Sequence, residues 1–159
     1  MKKLAAFVVL LLMLLIVAGC QKYDPVTTLE ATVKVSVYFS PDPHAPCYNW
    51  YKGKQPDPKK HRQVVYQAIV RNTGPKWKRF ILLEPIFPPL FKNLVINECL
   101  GIPADASPRS KEFALERVWY LTEGDPAKVE RLAYQSKVRI VWEEGGRKWE
   151  KVVTVTPEK

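Results

Sequence analysis

Histidine, cysteine and glycine are all scarce in this chain. Two histidines, three cysteines and seven glycines occur among 159 residues. No glycine-rich phosphate loop, no Cys-x-x-Cys and no Gly-x-Ser-x-Gly stretch is present. Those gaps remove the signatures of P-loop nucleotide binding, dithiol redox chemistry and the α/β-hydrolase nucleophile. The two imidazoles, His44 and His61, flank one proline-rich loop with no motif around them. The acidic pairs Glu143-Glu144 and Glu112/Glu116 read as solvated surface on a hairpin tip and an outward face. No catalytic residue, cofactor or metal centre is assigned, and the chain reads as non-catalytic. No internal repeat is present either, which removes solenoids and propellers.

What is present begins at the N-terminus. Lys2 and Lys3 precede an unbroken apolar run from Leu4 to Ala18, closed by Gly19-Cys20. A positive segment, an apolar segment and a small-residue end are the three parts of a secretory signal. The run is shorter than the about 20 apolar residues a transmembrane helix needs. Val17-Ala18-Gly19-Cys20 resembles the lipobox of bacterial prolipoproteins. The resemblance implies a diacylglycerol on the Cys20 sulfur, cleavage just before Cys20 and acylation of the freed amine. The chain then divides into a signal (1–19), a lipidated tether (20–27) and a single domain (28–159). The implied place is extracytoplasmic, lipid-anchored to the cell membrane or the outer membrane, with membrane lipid the first expected partner.

Two of the 25 Lys and Arg, and none of the 16 acidic residues, fall in the signal. That leaves 23 basic against 16 acidic side chains, spread through every segment. For an exported chain this balance favours solubility and attraction to an anionic envelope component, lipid or wall polymer or protein. No nucleic-acid-binding motif accompanies the charge, so nucleic acid is not an expected partner.

The domain is patterned for β structure. From Leu29 to Phe39, Leu29, Ala31, Val33, Val35, Val37 and Phe39 alternate with polar residues, as a half-buried strand requires. Val64 to Asn72 is a second strand, closed by the turn signal Asn72-Thr73-Gly74-Pro75. Phe80–Leu83, Leu94–Leu100 and Phe113–Leu121 supply three more strands. Glu84 to Phe91 carries too much proline for a central strand and reads as a plug or an exposed patch. Asp125-Pro126 has the form of an N-cap followed by N1 proline, so a short helix is predicted over 126–133. At the C-terminus, Gly145-Gly146 suits a two-residue hairpin turn. The turn pairs Trp142 with Trp149, Ile140 with Lys151 and Val138 with Val153.

The strand entering Val70-Arg71-Asn72-Thr73-Gly74 resembles the second strand and turn of bacterial immunoglobulin-like modules. With the strand spacing, it implies a mainly β fold, an antiparallel two-sheet immunoglobulin-like sandwich with one short helix; a small open barrel is the alternative.

Pro41 to Arg62 forms the longest predicted loop. Tyr48, Trp50 and Tyr51 lie among its lysines, a candidate partner-binding surface for an anionic partner. Asp42, His44 and Cys47 have donor atoms suited to a metal or small-ligand carrier, a second reading; a structural envelope lipoprotein is a third. With Cys20 taken by lipid, Cys47 and Cys99 are the two cysteines left outside the cytoplasm, and a disulfide between them is expected. Two buried thiols, or thiolate ligation with His44, are the alternatives.

Overall fold

The computed structural model describes residues 23–40 and 57–158. Cys20 and its signal, and the loop residues Asp42, His44, Cys47, Tyr48, Trp50 and Tyr51, lie outside the described residues.

The fold is mainly β. Its strands are β1 (Leu29–Tyr38), β2 (His61–Asn72), β3 (Lys78–Ile86), β4 (Val95–Leu100), β5 (Ala104–Ala106), β6 (Ala114–Glu123), β7 (Lys137–Glu144) and β8 (Arg147–Pro157). Among the described residues two helices join them, α1 (Pro89–Lys92) and α2 (Pro126–Tyr134). The strands form one sheet in the order β4-β6-β2-β1-β8-β7-β3-β5.

This departs from the expected antiparallel two-sheet sandwich. β1 pairs antiparallel with β2 on one side and parallel with β8 on the other, Val33 opposite Val155 and Val35 opposite Pro157. The parallel pairing joins what would have been two facing sheets into one mixed sheet. Eight twisted strands do not stay flat, and the sheet curls into a half-barrel. Register shifts between Lys78 and Ile81 and between Val95 and Asn97 add bends near its two edges.

The inner face is a continuous apolar core. Val33 and Val35, Val64, Tyr66 and Val70, Val118 and Tyr120, and Val138, Ile140 and Trp142 supply it, each set by period-two alternation. α2 adds Val129, Leu132 and Ala133 to that core. It starts where the sequence places it, since the Asp125 carboxylate accepts from the Lys128 amide at 2.8 Å. The hairpin has the predicted register, with Trp142 opposite Trp149 and Val138 opposite Val153. Gly145 (φ 61°) and Gly146 (φ 74°) supply the left-handed backbone that its turn requires.

β2 begins earlier than the sequence suggests. His61 is its first residue and is buried; its Nδ1 accepts from the Asp57 amide at 2.7 Å, closing the turn into the strand. Here the histidine has a structural task.

Candidate functional site: the open side of the half-barrel

The two margins of the curled sheet approach each other without closing. β5 pairs only with Lys78 and Ile81 of β3, so Leu82–Ile86 has a strand on one side only among the described residues. Among the strands of the described residues, β4 pairs with β6. Pro85 fits this position because it has no amide hydrogen to offer an outer neighbour. A cavity of about 540 Å³ lies between the two margins. Leu82, Pro85 and Phe87 line it from one side, and Leu100 and Tyr120 from the other. Glu84, Lys92 and Glu98 add charge to the lining, and the Tyr120 hydroxyl donates to Glu98 Oε1 at 3.1 Å.

The proline-rich stretch after β3 forms the end wall. Pro88-Pro89 opens α1, where the Phe91 amide donates to the Pro88 carbonyl at 2.9 Å. That turn drives Phe91 into the core with no exposed surface. Phe87 packs 4.9 Å from both the Phe91 and the Tyr120 ring centroids. Tyr66 completes the aromatic cluster, edge-on to Tyr120 at 6.1 Å. Its hydroxyl donates to Ser136 Oγ at 3.0 Å, and burial raises its pKa well above the ordinary phenol value.

Beyond β4 the margin is unusually apolar at the surface. Leu100 is 66% exposed, Ile102 91% and Leu115 53%. They border a second cavity of about 410 Å³ with Trp119 and Glu116. The sequence suggests a solvated Glu116, yet it is buried, on the inward series Ala114, Glu116, Val118 and Tyr120. Burial raises its carboxyl to about 7, near neutrality rather than in the ordinary acid range. The chain crosses close above it at Gly101, where a Cβ would meet the Arg117 carbonyl oxygen at 2.2 Å. Only glycine permits that crossing.

Glu144 departs likewise from the solvated surface that its place at a hairpin tip suggests. It continues the inward series Val138, Ile140, Trp142 and ends in a buried ion pair. Lys78 Nζ donates to Glu144 Oε2 at 2.5 Å, to the Pro25 carbonyl at 3.0 Å and to Thr28 Oγ1 at 3.0 Å. It also sits 5.3 Å from the Trp142 ring centroid. The Tyr23 hydroxyl donates to Glu144 Oε1. Burial pulls the Lys78 ammonium below its ordinary pKa, with Glu144 acting in the opposite direction. Gly74 makes room for this clamp, since a Cβ there would lie 2.8 Å from Thr28 Oγ1 and 2.9 Å from the Tyr23 oxygen. The chain is therefore fastened to the sheet from Tyr23 onward, within the stretch read as tether.

Cys99 is half-buried on β4, opposite Trp119 in register, while its expected partner Cys47 lies outside the described residues. No group of three or more His, Cys, Asp and Glu suited to a metal occurs among the described residues. Neither the protein-family models nor the curated proteins searched contain a match to this chain. What the geometry defines is a class: a mainly β half-barrel with an apolar open side.

Proposed function

We propose that this chain is a lipid-anchored, extracytoplasmic, non-catalytic interaction protein of a bacterial envelope. Its open side holds an extended apolar segment of a partner protein. The observation that carries this reading is the exposed apolar margin of Leu100, Ile102 and Leu115 beside a strand edge. Along Leu82–Ile86, whose outer side pairs with no strand among the described residues, an incoming segment adds through main-chain hydrogen bonds, and alternate side-chain pockets select its sequence. Exposed aliphatic side chains collected at one margin mark an interaction surface better than the same residues scattered singly. The loop bearing Tyr48, Trp50 and Tyr51 joins β1 to β2 and is a second contact element in this proposal. A Cys47–Cys99 bridge would tie it to β4, beside the same margin.

A photo-crosslinking residue at position 102 in intact cells is expected to capture one discrete partner. Leu100→Asp with Ile102→Asp should cut copurification of that partner at least tenfold. Because both side chains are exposed, the melting temperature should stay within a few degrees. Undiminished copurification would remove the open side from consideration as the contact. For the anchor, the intact mass of the mature protein is expected to show a chain beginning at Cys20 and carrying lipid; an unmodified Cys20 overturns that part.

A further inference from the structure

The end of the domain at which Tyr23 is fastened is basic and aromatic. Tyr23 stands three residues after Cys20, a span of at most about 11 Å when extended. Whatever holds Cys20 is held within that distance of the Tyr23 backbone. Lys76 Nζ lies 5.5 Å from the Tyr23 ring centroid. Lys76, Trp77 and Arg79 share a cleft of about 410 Å³ with Glu143 and the Gly145-Gly146 turn. Arg147 and Lys148, both exposed, follow that turn directly. The acidic groups at this end are Asp24, Asp105, Glu143 and Glu144, of which Glu144 is buried against Lys78; the cations are Lys76, Lys78, Arg79, Arg147 and Lys148. Trp77 is 49% exposed, although the strand it precedes could have carried a polar residue there at no cost to the core.

We propose that this face lies against an anionic bilayer. The Trp77 indole sits at headgroup depth, and Lys76, Arg79, Arg147 and Lys148 meet lipid phosphates. The proposal rests on lipidation of Cys20 and assigns the domain an orientation. The length of chain outside the described structure argues for lipid over any other occupant, because three residues cannot carry this end away from the surface that holds Cys20. An exposed indole with cations around it also matches the interfacial zone, where tryptophan is enriched and each basic residue strengthens association about fivefold. Leu82–Pro85, on the cavity wall, lies roughly 15–25 Å further along β3 from Trp77, so the open side is separate from the membrane-facing residues.

The test uses the purified full-length lipidated protein in vesicles of brominated phosphatidylglycerol or brominated phosphatidylcholine. Bromine quenching of tryptophan emission is expected in the anionic vesicles, and the quenched component should vanish in Trp77→Phe. Lys76→Ser with Arg79→Ser should bring quenching down to the phosphatidylcholine level. Equal quenching of wild type and Trp77→Phe, or equal quenching in both lipids, overturns the orientation while leaving the anchor intact. A mass spectrum showing no lipid on Cys20 overturns both.

Discussion

Lys78→Ala is expected to destabilise the protein by about 3–5 kcal/mol, because it leaves the Glu144 carboxylate buried without its cation. For a domain of this size the melting temperature should fall by roughly 10–20 °C. Both side chains of the pair are essentially inaccessible to water, so solvent does not screen the loss. Three further acceptor and donor relationships go with the ammonium: the Pro25 carbonyl and Thr28 hydroxyl lose their donor, and Trp142 loses a cation above its ring. Lys78→Met combined with Glu144→Leu should recover much of the loss, since no ion then remains to be desolvated. Thermal and urea melts of the two single variants and the double variant form a cycle that isolates the coupling. Single variants that melt with the wild type would show that the pair is not buried in solution.

Glu116→Gln should act in the opposite direction and only at the higher end of the pH range. The folded protein holds the Glu116 proton up to about pH 7, whereas an exposed glutamate loses it near 4.5. Between those values the folded state binds more protons than the unfolded chain, so this group's contribution falls as pH rises and levels off above 7. Ionised Glu116 is thus a liability at pH 8, and a neutral amide of the same shape removes it. The gain is expected to be about 1–3 kcal/mol at pH 8, below the full linkage value because the residue borders an open cavity. Little change is expected at pH 5. Melting curves at the two pH values check this. An equal effect at both would mean that the carboxylate is already solvated or paired.

Both glutamates show what period-two reasoning can and cannot extract. The hairpin register was legible because Gly145-Gly146 fixes the turn, and every pairing toward Val138–Val153 follows by counting. The same counting places Glu144 inward after Val138, Ile140 and Trp142, a signal outweighed by its position at a hairpin tip. In β6 the apolar residues Phe113 and Leu115 are the exposed ones, and Glu116 belongs to the series that is buried. Lys78 was hidden by a bulge, since the shift between Lys78 and Ile81 breaks the period that would have linked it to Leu83. The parallel contact of β1 with β8 leaves no local trace. Each strand alternates correctly for its own face, and nothing in either segment names a neighbour more than a hundred residues away. The apolar margin at Leu100, the last residue of β4, and Ile102, just beyond it, was likewise unreadable, because an aliphatic residue looks the same whether or not another segment covers it.

The position of β1 has a mechanical consequence. It is an inner strand, flanked by β2 over its whole length and by β8 at its middle, from Val33 to Val35, and its N-terminal end follows directly on the clamped segment from Tyr23 to Thr28. Sheet hydrogen bonds run across the strands. Tension applied from the N-terminal side therefore loads the clamp first and then shears two ladders together, with many bonds sharing the force instead of opening one after another like a zipper. A pull from that end therefore meets more resistance than one that peels an edge strand away.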